Sequence, residues 1–336
     1  MRVFAVDKPL GLTSHDVVAR ARRALGTRRV GHAGTLDPLA TGVLVVLVDE
    51  ATKLAPVLSG AEKHYLAWVA LGLGTPTLDA EGPIDARADA EHVDANAVRA
   101  ALPAFLTLRE QRPPAYSAVQ RDGERAYAAA RRGEALALPP RPAGYHRVEL
   151  LALRPAGAAP PIGLVRDAGG WRPSYEHEHE HDGPGEPGAP ARPVTLPTPL
   201  GEAPLALVRL RVAAGTYVRA FARDLGAALG VPAHLAGLVR TAAGAVDLAR
   251  AWPLDALTDA TPLAPLELLP FPRVSLDAAT ARDVRDGKRP AAHWQGRATL
   301  VGPAGDLVAV ADAVDGRVKT LRVWRPDGVR HDRGGG

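Results

Sequence analysis

Residues 31–48 read GHAGTLDPLATGVLVVLV, a stretch of small and turn-forming residues running straight into six consecutive aliphatic ones. The run Val43–Val48 has no polar alternation, so it reads as a strand buried on both faces, the kind found centrally in a sheet covered by helices. The stretch before it, Gly31–Gly42, reads as a loop carrying one histidine, His32, and one carboxylate, Asp37. Pro38 biases Asp37 toward extended backbone. A carboxylate so placed either is presented to a ligand by the scaffold or closes an Asx-turn on its own backbone, and the local sequence is compatible with both.

Working outward, Val3–Val6 reads as a strand. SHDVVARARRALG (14–26) reads as a helix that Ser14 can cap, with Asp16 in its first turn and Gly26 closing it. Val17, Ala21, Ala24 and Leu25 form its apolar stripe, leaving Arg20, Arg22 and Arg23 outward. Tyr65–Gly74 is a further strand candidate, residues 94–108 a helical stretch that Pro103 can interrupt, and 124–132 a short basic helix. Residues 155–203 dissolve into Gly, Pro and Ala around EHEHEHD (176–182), which reads as a low-complexity insertion joining two neighbouring strands. In LALVRLRV (205–212), Ala206, Val208, Leu210 and Val212 share one face. A helix near Thr216 buries Val218, Phe221, Ala222, Leu225 and Leu229, with Arg219 and Arg223 opposite. A proline-rich connector then leads to short strands and a Gly-rich tail.

The chain's 336 residues are long enough for a large catalytic domain and a small second one. The absence of cysteine excludes disulfides, iron–sulfur clusters, thiolate zinc sites and a cysteine nucleophile, and fits a reducing compartment. Apolar runs such as Val43–Val48 fall far short of the roughly 20 residues of a membrane span, and the start MRVFAVDKPLG has no cleavable apolar core. The expected location is cytoplasmic. The net charge is +4, but residues 171–202 hold six acids against two bases, so the remainder carries +8 and suits a polyanion. His177, His179 and His181 alternate on a Gly/Pro-rich segment that preorganises a metal poorly, so that segment reads as a solvated spacer. No metal and no cofactor is expected.

GHAGTLDPLATGVL resembles the defining motif of the bacterial TruB family of tRNA pseudouridine synthases. Further motifs follow in the family's order: KHYLAWVALG (63–72), TPTLDAEG (75–82), QRPPAYSAVQ (111–120), AGTYVRAFARDLG (214–226) and PAHLAGLVR (232–240). The resemblance implies an α+β fold, a mixed central sheet flanked by helices, over residues 1–262. It implies a linker at 263–273, a small β-barrel-like PUA domain that binds RNA at 274–330, and a disordered tail at 331–336. It also implies isomerisation of uridine to pseudouridine at position 55 in the T loop of tRNA, by base flipping and cleavage and rejoining of the glycosidic bond.

Carried over by motif, Asp37 is the catalytic carboxylate, Arg219 its ion-pair partner and Tyr65 the aromatic that stacks on the target base. Without the family, Tyr65 would read as a packed strand aromatic and His32 as a turn histidine. The resemblance makes His32 the ring that fills the space left by the extruded uridine. Tyr217 and Leu238 match substrate-pocket positions, Lys53 a basic position supporting the site or contacting phosphate, and Asp79 an acid behind the site. Two positions depart from the family: Gln120 stands for a lysine, which puts one phosphate contact in doubt, and Pro76 stands for an acid in a loop. The expected partner is the T arm of tRNA, bound by a monomer with no obligatory protein partner and no membrane. Rival readings are a tRNA-refolding chaperone that does not need Asp37, a guide-RNA-dependent relative, and a glycosidase using Asp37 and Asp79 as a carboxylate pair.

Overall fold

The computed structural model describes residues 1–117, 120–121, 124–125, 132, 138–175, 192–197 and 202–325. The chain opens with β1 (Arg2–Lys8), α1 (Ser14–Ala24), β2 (Val30–Ala33), β3 (Ala40–Val48) and β4 (Lys63–Leu71). Helices α2 (Ala95–Ala101) and α3 (Pro103–Thr107) meet at Leu102, where Pro103 breaks the run. Then come β5 (Tyr145–Arg154), β6 (Gly163–Asp167), β7 (Gly170–Ser174) and β8 (Leu205–Val212). Next are α4 (Val218–Ala228), β9 (Ala233–Ala243) and β10 (Trp252–Pro253). The C-terminal part holds β11 (Arg273–Ser275), α5 (Ala278–Arg285), β12 (Gly296–Val301), β13 (Leu307–Val314) and β14 (Arg317–Val323).

The central sheet is mixed, in the order β5-β8-β4-β9-β3-β1-β10, with β2 added on β3. The β9–β3 and β1–β10 pairs are parallel and their neighbours antiparallel. All nine residues of β3 are buried, as a central strand without polar alternation requires. One edge of β3 is shared: β9 pairs with Ala40–Gly42 and β2 with Val45–Val48. Residues 34–39, which carry Asp37, therefore leave the sheet where β2 stops and re-enter where β9 starts. What reads as one loop from Gly31 to Gly42 is a short strand, a six-residue excursion and the first turn of β3.

Alternation sorts the side chains into two layers. Tyr65, Ala67, Ala206, Val208 and Leu210 pack with Phe221 and Leu225 of α4 on one face, while Leu66, Trp68, Leu205 and Leu207 pack with Val43 and Val45 on the other. In α1 the buried stripe is Val17, Val18 and Ala21, and Ala24 is exposed. Thr13, not Ser14, caps this helix, closing a capping box with Asp16. Ser14 is turned inward instead, where its Oγ donates to the Leu36 carbonyl (3.1 Å) and accepts from the Leu36 amide (2.8 Å).

The described part of the insertion is more ordered than its composition implies. It joins the neighbouring strands β5 and β8, and its first part is the β6–β7 hairpin. Arg209 explains why: its guanidinium lies buried on β8 and needs partners, which the hairpin supplies through Asp167 (2.8 Å) and the Trp171 carbonyl (3.2 Å). The returning chain is fixed by Arg192, which donates to Asp7, the Leu248 carbonyl and the Ala251 carbonyl. EHEHEHD (176–182) and the tail 331–336 lie outside the described residues, as does most of 124–132; Glu124–Arg125 pairs in extended form with Gln120–Arg121.

The C-terminal sheet, β11-β12-β13-β14, has its own core of Leu276, Val284, Leu300, Val308 and Val318. Its other side joins the main core through Leu307, Val310 and Trp324. The connector is docked as well, with Leu263 bridging Val3 and Leu268 and Leu269 buried. Among the described residues no helix is long and apolar enough to cross a membrane.

At the far edge of the sheet, Glu62 accepts hydrogen bonds from His64, His146 and Arg211, and so ties β4, β5 and β8 together. Burial opposes its charge, but the hydrogen bonds from His146, His64 and Arg211 prevail and hold its carboxyl down at about 2. A carboxylate depressed in the folded state contributes stability that is present above its ordinary value of 4.5 and is lost as pH falls through about 2. Thermal unfolding should therefore show Glu62→Gln melting below the native chain at pH 7, with the gap closing as pH falls from 5 toward 2; a constant gap would contradict this linkage.

Candidate active site

Arg219 is the hub. It lies in the first turn of α4, with its side chain only 9% exposed, and its Nε meets Asp37 Oδ2 at 2.9 Å. Its Nη1 faces Asp79 Oδ2 at 3.3 Å and donates to the Thr77 carbonyl at 3.1 Å. A helical wheel that sorts only apolar residues puts Arg219 outside. It is inside because carboxylates from two distant loops meet it there. Asp37 is 41% exposed at the side chain and Asp79 only 3%, so the guanidinium bridges a carboxylate at the mouth to one in the interior.

Asp79 is fixed by its own turn. Leu78 adopts a left-handed backbone (φ 62°), uncommon for a bulky residue, and is held there by a hydrogen bond from the Leu235 amide to its carbonyl. Thr77 Oγ1 and the Glu81 amide donate to Asp79 Oδ1 at 2.7 and 3.1 Å. Burial pushes the Asp79 carboxyl above the ordinary range, against the pull of Thr77 and Arg219. Glu81 is likewise pushed up, by burial and then by the nearby Asp79 and Asp37 charges.

The excursion carrying Asp37 is held from beneath by cations donating to its carbonyls. Arg240 on β9, 1% exposed, donates to the carbonyls of Val43 (2.6 Å), Gly34 (3.0 Å) and Thr35 (3.3 Å). Lys8, at the end of β1, donates to the carbonyls of Pro9, Leu12 and Pro38, and burial lowers its pKa to about 8. Lys63 lies under Gly34, and burial brings it to about 8 as well. Sequence reasoning missed Arg240, Lys8 and Glu81. The signal was available for the first two: a cation at the end of, or within, an otherwise apolar strand must find acceptors inside.

Tyr65 sits on β4, 8% exposed, in the layer that includes Leu36, Leu39 and Leu238. Leu238 on β9 lies opposite Ala40 and Ala67. Tyr217 is half-buried at the start of α4. Its amide donates to Gln111 Oε1, and burial raises its phenol pKa, so the phenol stays protonated. His32 stands on β2 with Nδ1 buried and unpartnered, its ring edge-on to that of His15 at 5.5 Å. Burial, then His15 and Arg240, lower its pKa and favour a neutral ring. The structure thus brings Asp37, Arg219 and Asp79 into contact, with Tyr65 and Leu238 in the same apolar layer as Leu36 and Leu39. Lys53 is elsewhere: it pairs with Glu50 (2.5 Å) and donates to the Val323 carbonyl (3.0 Å), at the join with the C-terminal sheet. Among the described residues no group of three His, Asp or Glu is placed to hold a metal.

Residues 22–160 match the family described as TruB family pseudouridylate synthase, N-terminal domain. The chain is 51% identical to the tRNA pseudouridine synthase B of Deinococcus radiodurans over 96% of its own length and 100% of that protein. It belongs to the TruB family. The tRNA pseudouridine synthase B of Thermus thermophilus is 52% identical over 96% of this chain and 99% of its own length. Among solved structures, a Cbf5–Nop10–Gar1 complex aligns with a TM-score of 0.64, covering 97% of this chain and 85% of that one. At 22% identity this likeness shows the fold, the mixed sheet with few helices, and nothing finer.

The tightest backbone approach in the site is at Gly42, φ 92°, where a Cβ would lie 2.3 Å from the Arg240 carbonyl oxygen. Gly26 has a similar positive φ of 62° but open space around it. In urea unfolding, Gly26→Ala should cost about 1 kcal/mol, from backbone strain alone. Gly42→Ala should cost about 3 kcal/mol, because β3 and β9 must also part. Equal losses at both sites would show that the close approach carries no energy.

Proposed function

We propose that this chain isomerises uridine to pseudouridine in tRNA, at the T-loop uridine of position 55, with Asp37 as the carboxylate that acts on the glycosidic bond. The observation that carries the reading is Arg219 held between Asp37 and Asp79, in a chain half identical from end to end to named tRNA pseudouridine synthases. In the reaction the N1–C1′ bond breaks, the uracil turns, and a C5–C1′ bond forms. The C5 proton leaves and N1 takes one up, so the product is an isomer and no co-reactant is consumed.

Each residue has a part that its surroundings suit. Asp37 keeps its side chain 41% exposed while Arg219 orients it through Oδ2, the arrangement of an aimed nucleophile or base. Asp79 and the Thr77 carbonyl fix the guanidinium, and so act through it. Tyr65, Leu238 and Tyr217 give the uracil apolar and aromatic surface. His32, with a ring biased toward the neutral form, fills the stack that the uridine leaves. The contact surface on the RNA is the T arm, the enzyme acts as a monomer in the cytoplasm, and the C-terminal sheet is a PUA-like module that holds RNA outside the cleft.

Tritium release from tRNA labelled at C5 of uridine, with mapping of the modified position, tests the reading. The native chain should release label from a single T-loop uridine and Asp37→Asn should release none. Tight tRNA binding without release would instead favour the chaperone, and free uracil the glycosidase. Arg219→Lys should lower the saturating rate by about 100-fold, because a single ammonium cannot span Asp37, Asp79 and the Thr77 carbonyl as the fork does. For His32→Ala the expected change is a raised KM with the saturating rate largely kept; the reverse pattern would remove it from the flipping step.

A further inference from the structure

The outward face of α1 is unexplained by the site, although the helix is joined to it. Ser14 is double hydrogen-bonded to Leu36, one residue before Asp37, and His15 packs its ring against His32. With Val17, Val18 and Ala21 buried, the 3.6-residue repeat turns His15, Ala19 and Arg23 outward along one stripe, with Asp16 and Arg20 beside it. From His15 to Arg23 this stripe runs about 12 Å.

The charges on this face are unequal. Asp16 is engaged by Thr13, whose amide and hydroxyl both donate to its carboxylate. Arg22, toward the edge of the face, donates to the Val30 carbonyl. Among the described residues Arg20 and Arg23 make no hydrogen bond or ion pair, and both are exposed. They also form one wall of a cavity of about 740 Å³ that wraps the β1 edge of the sheet. Of the two carboxylates lining it, Asp7 is neutralised by Arg192, and Asp255 is exposed. Arg20 lies within the field of Asp16, whose carboxyl it helps to hold down, and Asp255 lines the same cavity, but among the described residues neither Arg20 nor Arg23 donates to a protein acceptor; on a helix that begins at the cleft the two guanidiniums form an anion track with donors left over.

We propose that the outward face of α1 carries the phosphodiester backbone of the bound RNA away from the cleft, entering beside His15 and crossing Arg20 and Arg23. The inference rests on the reading of the Asp37 cleft as an RNA-modifying site. It extends the RNA footprint to a surface that touches neither the uracil pocket nor the C-terminal sheet. Phosphate contacts of this kind set register and affinity without adding base specificity.

The test compares the native chain with Arg20→Gln/Arg23→Gln and Arg20→Lys/Arg23→Lys, using filter binding to a tRNA transcript over a salt series together with single-turnover rates at saturating RNA. The glutamine pair should weaken binding about tenfold at low salt and reduce the slope of log affinity against log salt by about 1.5, the loss of two phosphate contacts. Its saturating rate should be unchanged, and the lysine pair should retain the native slope. An unchanged affinity and slope in the glutamine pair would overturn the proposal, as would a loss that persists in the saturating rate. If the native chain binds tRNA but makes no pseudouridine, the catalytic reading fails, and the salt slopes still decide the surface.

Discussion

One guanidinium organises the active end of this molecule. Arg219 is almost entirely removed from water, which is tolerable only where anions and carbonyls replace the lost hydration. Its three partners come from residues 37, 77 and 79, so the chain cannot bury Arg219 without drawing the two loops together beneath α4. The exposed carboxylate and its support thus arrive by the same requirement. Asp37 is left at the mouth because the inner position belongs to Asp79, whose Thr77 and Glu81 contacts need the interior.

Beneath this hub the same device recurs with the backbone as acceptor. Arg240 and Lys8 are buried cations that donate to backbone carbonyls, Arg240 to Gly34, Thr35 and Val43, and Lys8 to Pro38 of the excursion and to Pro9 and Leu12 of the connection beside its own strand. Such charge-assisted bonds are strong, and removing one partner leaves a buried charge uncompensated. Arg209 applies the device again at the other end of the sheet, where it clamps the β6–β7 hairpin. The chain has no cysteine and so no disulfide; buried arginines cross-link its sequence-distant segments instead.

Much of the scaffold was legible because its strands carry strong patterns. The uniform Val43–Val48 run follows from burial on two faces, the stripe Ala206, Val208, Leu210 and Val212 marks one buried face of β8, and the structure places both strands inside the sheet. The misreadings share a cause. Ser14 looked like a cap because serine caps helices locally, but Leu36, more than twenty residues away, claims its hydroxyl. Arg219 looked outward, and the insertion looked shapeless, because Asp37, Asp79 and Arg209 act on them from a distance. Of the site, Asp37 and its motif were readable through family resemblance, and the contact with Arg219 is what the geometry displays. The supporting cations carry a local signal, a charge at the end of or within an apolar strand, but which carbonyls they hold depends on segments far away in sequence. The placing of Lys53 against Glu50 and Val323 likewise depends on the docking of the C-terminal sheet, which no short window encodes.

The double hydrogen bond between Ser14 and Leu36, with Arg240 and Lys8 below, leaves the Asp37 excursion little freedom to adjust to what it meets. A die that does not yield shapes the material pressed into it. When RNA enters such a cleft, the deformation falls on the nucleic acid, and the energy of the encounter depends on how readily that stretch unstacks and bends. For any cleft this stiff, discrimination can reside in RNA mechanics at nucleotides the protein never touches.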